Sequence, residues 1–258
     1  MKEKTLTVNN FSVSYPISYY KNFTFRDFFV DMLNSPIDFL LKERDKIVVL
    51  DKISFDLFRG DKVGLIGNNG SGKSSLCRYI SGLFGSTYGI TTHGKVRGIF
   101  DTEMTIFPDL TGRENLVILC QLIYPNLSRN QREKIIKETE EFCDLGKFLH
   151  VPFKNYSKGM RARLFLSLIS AQSSDILILD EVFNGADAFF SEKMGRRIRE
   201  SIDNSGSVIF VSHDFGLVKE LCNRVIIIDN QKIIYNGDVD EGIVYYLENC
   251  SKTLIQNG

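Results

Sequence analysis

The chain has 258 residues, 43% of them hydrophobic, which is enough for one sizeable core or for two lobes that share one. Its 32 basic and 32 acidic residues cancel, which argues against a protein whose main role is to bind nucleic acid. The apolar runs are strand-sized, far below the roughly 20 residues of a membrane-spanning helix, and the N-terminus lacks the apolar core of a signal peptide. We therefore expect a cytoplasmic protein that meets a membrane at its surface or through a partner.

The first part of the chain alternates apolar and polar residues, as strands do. Residues 4–15 predict a strand pair, and residues 47–66 predict strands separated by a turn at 59–61. Further buried strands are expected at 174–180, 207–211 and 224–228. Because these strands alternate with helical stretches, the sequence predicts a parallel α/β core.

Residues 17–46 predict two short amphipathic helices inserted between the first strands. Thr24-x-x-Asp27 resembles a helix-start box, and Ser35-Pro36 marks a second helix start with proline in the first turn. Apolar residues follow at helical spacing, among them Phe25, Phe28, Phe29, Met32 and Leu33. From the residues alone, this aromatic face either covers the sheet or meets a membrane surface or a partner.

Residues 111–172 are helix-rich and predict a helical lobe inserted into the α/β core. One helix is expected at 130–142, and another opens after Ser157. The expected inner faces carry Ile135, Ile136, Thr139 and Phe142 in the first helix and Leu164, Leu168 and Ala171 in the second. We expect a single domain over residues 1–250, followed by a loose tail at 251–258.

The strongest chemical signal is the pattern G-x-x-x-x-G-K-[ST], which lies directly after a predicted strand and before a predicted helix. Glycines let backbone N–H groups wrap phosphates, and the helix N-terminus adds its dipole. Lys73 is expected to reach the β- and γ-phosphates, and the Ser74 hydroxyl to ligate Mg²⁺. The expected ATP contacts are Gly67, Asn68, Asn69, Gly70, Ser71, Gly72, Lys73, Ser74 and Ser75.

Two carboxylates, Asp180 and Glu181, end an apolar strand. Asp180 stands where a magnesium ligand is needed, and Glu181 is placed to act as general base on an attacking water. A solvated acidic turn is the alternative, which the complete phosphate loop disfavours. Ser157 precedes a helix and is expected to cap it. His213 follows a strand, where such a residue either ties down a loop or serves the site.

These motifs in this order resemble the set found in ABC ATPases: the phosphate loop, Tyr156-Ser157-Lys158-Gly159-Met160, a strand ending Asp180-Glu181, then Ser212-His213-Asp214. The resemblance covers residues 4–245. It implies a P-loop NTPase cassette of two lobes, a RecA-like α/β lobe with an antiparallel β edge and an inserted helical lobe. It also implies hydrolysis of ATP with Mg²⁺ by a homodimer.

The resemblance further implies roles for single residues. Ser157 and Gly159 match the signature loop, which contacts ATP held by the other copy. His213 matches the switch histidine, and Asp187 matches the loop that couples the two sites. Tyr15 is the first candidate for the aromatic ring that stacks on adenine, with Tyr19 and Tyr20 as alternatives. Two departures are Lys158 and Met160 in the signature, and Phe107 near the place of the usual loop glutamine.

Three segments resemble the versions found in exporters of O-antigen, capsule and teichoic acid: T-G-R-E-N, Y-S-K-G-M-R-A-R-L and D-E-V-F-N-G-A-D-A-F-F. That resemblance implies a multi-span membrane permease as partner, a lipid-linked glycan as cargo, and a place at the cytoplasmic face of the inner membrane. It also implies that the insert at 17–46 lies at the membrane interface. No C-terminal carbohydrate-binding domain is expected. The rival hypotheses are a soluble ABC protein acting on nucleic acid or ribosomes, and a regulatory module that holds ATP without hydrolysing it.

Overall fold

The computed structural model describes residues 2–16, 46–85, 88–99, 107–181 and 192–250. An antiparallel sheet packs on one face of a larger, mostly parallel sheet, and helices cover the other face. A separate helical lobe has a core of its own. The mixed α/β architecture with an antiparallel edge and a helical lobe agrees with the predicted fold class.

The antiparallel sheet has the order β2-β1-β4, formed by β1 (Lys4–Pro16), β2 (Lys46–Phe58) and β4 (Ile90–Thr92). The prediction of a strand pair within residues 4–15 is wrong, because β1 is one continuous strand. Asn10 and Lys52 have φ angles of 50° and 52°, and each backbone N–H donates 2.8 Å to a serine hydroxyl of the paired strand. These bulges account for shifts in the pairing of β1 with β2, and the chain continues through them without a turn.

The larger sheet has the order β5-β6-β7-β3-β8-β9. Its strands are β3 (Lys62–Ile66), β5 (Val96–Ile99), β6 (Ile176–Asp180), β7 (Ser207–Val211), β8 (Arg224–Asp229) and β9 (Lys232–Gly237). The first five strands in this order, β5, β6, β7, β3 and β8, run parallel to one another, and β9 is antiparallel to β8. The predicted buried strands are thus confirmed, although β6 begins two residues later than expected. The carboxyl ends of β6, β7 and β3 meet at one edge, where ligands bind in sheets of this kind.

Within the described ranges, four helices accompany this sheet: α1 (Lys73–Ile80), α5 (Glu192–Asp203), α6 (Phe215–Leu221) and α7 (Val239–Asn249). Leu76 and Ile80 of α1 join the core that the two sheets share, together with Leu6, Phe11 and Leu57. Residues of α6 and α7 contribute to the second core on the opposite face. Helix α1 is therefore fixed between the two sheets, directly behind the predicted phosphate loop.

The helical lobe contains α2 (Gly112–Ile123), α3 (Arg129–Phe142) and α4 (Lys158–Ile169), with 3₁₀ turns at Gly146–His150 and Phe153–Asn155. Ile135, Ile136 and Thr139 of α3 are buried as predicted, and so are Leu164 and Leu168 of α4. Ala171 lies beyond the end of α4, which ends at Ile169, but it packs against the same core as Leu164 and Leu168.

Arg97 of β5 connects the two lobes. Its Nη1 donates 2.6 Å hydrogen bonds to the backbone carbonyls of Gln172 and Ser173, just after α4. Its guanidinium lies 4.6 Å from the ring centre of Tyr124, whose hydroxyl donates to the carbonyl of Leu168 at 2.7 Å. The buried guanidinium of Arg97 thus donates hydrogen bonds to two backbone carbonyls that have no partner within α4, because they follow its last turn.

Several predictions fall outside the described residues. These are the two helices of the insert up to residue 45, Tyr19 and Tyr20, Asp187, and the tail at 251–258. Lys46 opens β2, so it does not belong to the insert. Among the helices of the described ranges, none is both long enough and apolar enough to cross a membrane.

Candidate active site

The phosphate loop joins β3 to α1, and its glycines are required by the packing around it. Gly67 has a φ of 156°, and a Cβ there would overlap the carbonyl oxygen of Ile228 in β8. Gly72 has a φ of 99°, and a Cβ would lie 2.9 Å from the carbonyl oxygen of Val49 in β2. Gly72 also provides no side-chain cap for α1. The first N–H groups of the helix are therefore available to an anion.

Lys73 lies across the loop with 6% of its surface exposed. Its Nζ donates to the backbone carbonyls of Gly67 and Asn68, at 2.8 and 2.9 Å. Burial lowers the pKa of Lys73, while the neighbouring carboxylates of Glu181 and Asp180 act to raise it. The loop thus holds a cation directly beside the two acidic residues at the end of β6.

Asp180 has the features of a metal ligand. Burial raises its pKa, and a hydrogen bond from Ser74 opposes that shift. Its Oδ1 is buried and has no hydrogen-bond partner among the described residues, and the same is true of the Ser71 hydroxyl in the phosphate loop. Asp180 thus offers a buried carboxylate oxygen without a hydrogen-bond partner in the described ranges, close to the hydroxyl of Ser74. Two such oxygens fit the ligands that Mg²⁺ requires.

Glu181 adopts a backbone conformation that is rare for a residue other than glycine. Its φ is 54°, and its N–H donates 3.0 Å to the carbonyl of Val211 in the neighbouring strand β7. Its Oε1 lies 3.1 Å from Nε2 of His213, and both side chains are partly exposed. Strained backbone of this kind is concentrated at functional sites. Here it turns the carboxylate away from the strand and toward the histidine.

The structure therefore brings the phosphate loop, Asp180, Glu181 and His213 to one edge of the sheet. Tyr15 lies at the end of β1, 40% exposed, and its hydroxyl is close enough to Tyr79 of α1 to help raise the pKa of Tyr79, after the larger effect of burial. It is thus positioned beside the helix that begins at the phosphate loop. Tyr79 in turn packs edge-to-face on Phe11, with ring centres 5.3 Å apart.

The segment that opens α4 is not joined to this edge. The Ser157 hydroxyl accepts a hydrogen bond from the N–H of Met160 at 3.2 Å, which confirms the predicted cap. Ser157 and Lys158 are exposed, and Gly159 faces open space. Among the residues that the structure describes, no hydrogen bond or ion pair connects this helix start to the phosphate loop. It is an accessible helix N-terminus, and such ends attract anions.

The T-G-R-E-N segment has structural roles that its spacing did not reveal. Thr111 and Glu114 form a reciprocal capping box at the start of α2. Asn115 is fully buried and bonds the backbone of Phe107 in both directions, at 2.9 and 3.0 Å. The Phe107 ring itself is 53% exposed. Its predicted place near the usual loop glutamine stays a prediction, because residues 100–106 lie outside the described ranges.

Two further residues, Asp229 and Tyr246, reach the site and were not among the residues predicted for it. Tyr246 of α7 donates its hydroxyl to Oδ1 of Asn68 at 2.8 Å, and Asn68 Nδ2 donates to Asp229 Oδ1 at 3.3 Å. Asp229 was detectable in principle, since it is a carboxylate that ends an apolar strand at the ligand-binding edge. Tyr246 was not, because it is an ordinary buried position of a helix 178 residues away in sequence.

Comparison with known proteins gives one family and a consistent group of relatives. The family model described as ABC transporter matches residues 50–184. The O-antigen export system ATP-binding protein RfbE of Yersinia enterocolitica is 40% identical over 75% of this chain and 80% of its own length. RfbB of Klebsiella pneumoniae, with the same description, is 33% identical over 95% of this chain and 98% of its own length. The teichoic acids export ATP-binding protein TagH of Listeria innocua is 36% identical over 74% of this chain and 57% of its own length.

Solved structures show the same fold. A dimeric ATP-binding cassette in a post-hydrolysis state with ADP and Pi superposes with a TM-score of 0.66 over 91% of this chain and 98% of that one, at 18% identity. An ATP-binding subunit of an ABC transporter superposes with a TM-score of 0.65 over 96% of both chains, at 21% identity.

Proposed function

Because this chain belongs to the ABC transporter family, we propose that it is the ATP-hydrolysing subunit of an exporter for a lipid-linked polysaccharide. The observation that carries the ATPase part is the contact between Glu181 and His213, 3.1 Å apart beside the phosphate loop. A module that only held nucleotide would need the loop, but it would not need a general base and a histidine beside it. The polysaccharide part is supported by relatives that are described as O-antigen and teichoic acid export proteins.

Each side chain at the edge of the sheet has a distinct task in this proposal. The phosphate loop and Lys73 bind the β- and γ-phosphates and offset their charge. Ser74 and Asp180 would hold Mg²⁺, and the ion would supply polarisation of the phosphate oxygens. Glu181 accepts a proton from the attacking water, and His213 orients Glu181 and contacts the γ-phosphate. Tyr15 stacks on the adenine ring.

The second half of the site comes from another copy of the chain. Ser157 and Gly159 lie at an exposed helix start that is separate from the phosphate loop of the same chain. A two-fold dimer places this helix start of each copy against the nucleotide of the other. Two ATP molecules are then held between two subunits, and Asp187 couples the two sites. The dimeric cassette among the solved structures supports this arrangement.

The chain acts at the cytoplasmic face of the inner membrane through a multi-span permease. The segment at 17–45 lies at the membrane interface near the entry point of the lipid-linked glycan. O-antigen is the first candidate cargo, since the relatives with that description include one that matches nearly the whole chain. Teichoic acid is the second, supported by 36% identity to TagH.

The test is ATP turnover and glycan export by the chain assembled with its permease. Glu181→Gln keeps the size of the side chain but removes the base, and should lower turnover by about 10²- to 10⁴-fold while ATP still binds. Glu248→Gln, on the exposed face of α7, is the matched control and should behave as wild type. Unchanged turnover in Glu181→Gln would contradict the assignment. Purification with nucleic acid in place of a membrane protein would contradict the transport role.

A further inference from the structure

One side chain of the C-terminal helix touches both segments that are expected to contact the γ-phosphate. The Tyr246 hydroxyl donates to Oδ1 of Asn68, the second residue of the phosphate loop, at 2.8 Å. The Tyr246 ring packs edge-to-face on Phe215, with ring centres 5.7 Å apart. Phe215 is the first residue of α6 and lies two positions after His213. Tyr246 is thus a physical connection between the phosphate loop and the segment that carries the histidine.

A chain of hydrogen bonds connects the Tyr246 hydroxyl, through Asn68, to the lysine of the phosphate loop. Asn68 receives the Tyr246 hydrogen bond on its side-chain oxygen and donates from its side-chain nitrogen to Asp229 at 3.3 Å. A donor on one side and a carboxylate on the other fix which way the carboxamide points. The backbone carbonyl of the same Asn68 accepts a 2.9 Å hydrogen bond from Lys73 Nζ. The orientation of Asn68 therefore bears directly on the position of Lys73.

Tyr246 is itself held rigidly. It is 8% exposed and belongs to the core beneath the sheet, with Val239 and Ile243 of the same helix. Asp238 caps the helix by accepting from the N–H groups of the first turn, at 2.8 and 3.2 Å. Burial raises the pKa of Tyr246, so its hydroxyl keeps the proton that it donates. A partner fixed by packing holds a flexible loop at less entropic cost than a mobile one.

We propose that Tyr246 is a positioning residue for nucleotide binding, and that it sets the affinity of the phosphate loop through Asn68. The inference rests on the proposed function only in taking ATP as the ligand. It gives the C-terminal helix a role at a site to which no sequence motif assigns it. Tyr246 acts through Asn68 and touches no substrate atom.

The test is direct titration of the full chain with a fluorescent, non-hydrolysable ATP analogue in the presence of Mg²⁺. Tyr246→Phe removes the hydroxyl but keeps the ring on Phe215, and should raise the Kd about 3- to 10-fold, as expected for one neutral hydrogen bond. ATP turnover at saturating nucleotide should stay within about twofold of wild type. Tyr245→Phe is the matched control, since Tyr245 stacks on Tyr235 and makes no contact with the phosphate loop. A Kd for Tyr246→Phe equal to that of Tyr245→Phe would overturn the inference.

A second pair of variants separates this effect from simple destabilisation of the helix. Asn68→Ala leaves α7 untouched, and in that background Tyr246→Phe should cause no further rise in the Kd. Additive losses in the double variant would show that the hydroxyl acts elsewhere and overturn the inference. The Kd is measured without hydrolysis, so a wild-type chain that binds nucleotide but does not turn it over contradicts the proposed function alone.

Discussion

Nε2 of His213 lies 3.1 Å from Oε1 of Glu181, and the two residues follow neighbouring parallel strands. The pairing of Asp180 with Val211 sets the register of those strands, and the Glu181 N–H is bonded to the carbonyl of Val211. Both residues thus lie within two positions of the end of a paired strand. The separation places the imidazole directly against the carboxylate that we propose as the general base.

His213→Ala should therefore impair turnover more than it impairs binding. The substitution leaves the Glu181 carboxylate without its partner, while the phosphate loop is unchanged. We expect kcat to fall about 10²-fold, the lower end of the effects of acid–base groups, with a much smaller change in KM. Steady-state ATPase assays of the assembled transporter measure both. His150→Ala is the control, since His150 is exposed in the helical lobe, and an equal loss in that variant would refute the assignment.

Asp180→Asn should stabilise the nucleotide-free protein while abolishing turnover. Burial raises the pKa of Asp180, so at neutral pH its folded state carries a charge that costs stability. The amide removes that charge, and we therefore expect a higher Tm than that of wild type. The gain has a defined pH dependence. It should be present above the raised pKa and should vanish when the pH falls below the ordinary range of a carboxyl, where wild type is also neutral.

Thermal unfolding at several pH values, without nucleotide or Mg²⁺, checks this expectation. The same protonation competes with the metal, so Mg²⁺ affinity should decline in mild acid, before an exposed carboxylate would titrate. Asp144→Asn, at an exposed turn, supplies the control. A lower Tm for Asp180→Asn at neutral pH would mean that the attraction of Lys73 outweighs the burial of the charge.

The residues that the sequence could place are those whose chemistry is local. The phosphate loop consists of consecutive residues, and Asp180-Glu181 directly follows an apolar run. Each could therefore be predicted from the sequence without knowledge of the packing. Strands β6, β7 and β8 were predictable for the same reason, since each is a short buried run. Their adjacency at one edge then followed from the parallel sheet alone.

The parts that could not be predicted depend on contacts between distant segments. Asn10 and Lys52 form bulges whose partners are serines of the other strand, and alternation of apolar residues cannot show where a bulge falls. The hydrogen bond from Tyr246 to Asn68 joins residues 178 apart in sequence. The residue types do not predict that contact, because tyrosine and asparagine also occur at many positions that have no role in a site.

Gly112 gives a prediction of this long-range kind. A Cβ at this position would lie 2.7 Å from Cζ of Tyr156 and would overlap its hydroxyl. That hydroxyl donates 2.6 Å to the carbonyl of Phe148, so the ring cannot retreat without loss. Gly112→Ala should cost about 1–3 kcal/mol of unfolding free energy through overpacking. Adding Tyr156→Phe removes the clashing oxygen, and the double variant should be less destabilised than the sum of the two single ones.

Urea unfolding of the four proteins in this cycle measures the coupling. Gly82→Ala is not a suitable control, because the φ of Gly82 is 77° and alanine would be strained there. Gly159→Ala is suitable, since a Cβ at Gly159 meets only the Ser157 hydroxyl at 3.9 Å. Simple additivity of Gly112→Ala and Tyr156→Phe would contradict the packing of Gly112 against Tyr156.

A mixture of two inactive variants tests whether each ATP site is shared between two copies. Lys73→Ala disables the phosphate loop. Gly159→Asp places a carboxylate at the start of α4, where there is room for it and where the helix dipole favours it, so the fold is kept. In a shared site that carboxylate would face the γ-phosphate of the other copy and repel it. Each variant alone should therefore be inactive as a homodimer.

In a heterodimer of these two variants, one site combines both defects and the other has neither. Random mixing makes half of the dimers mixed, each with one intact site of two, so activity should recover to about one quarter of wild type. If Ser157 and Gly159 served the nucleotide of their own chain, every site in the mixture would contain one defect and no activity would return. The control is Lys73→Ala mixed with Lys158→Ala, which alters the exposed neighbour of Gly159 and introduces no negative charge. Comparison of the two mixtures separates the effect of the charge at residue 159 from a general effect of altering this helix start. ATPase assays of the unfractionated mixture test the value of one quarter, and mixed dimers isolated through two different tags should reach about half of wild-type activity.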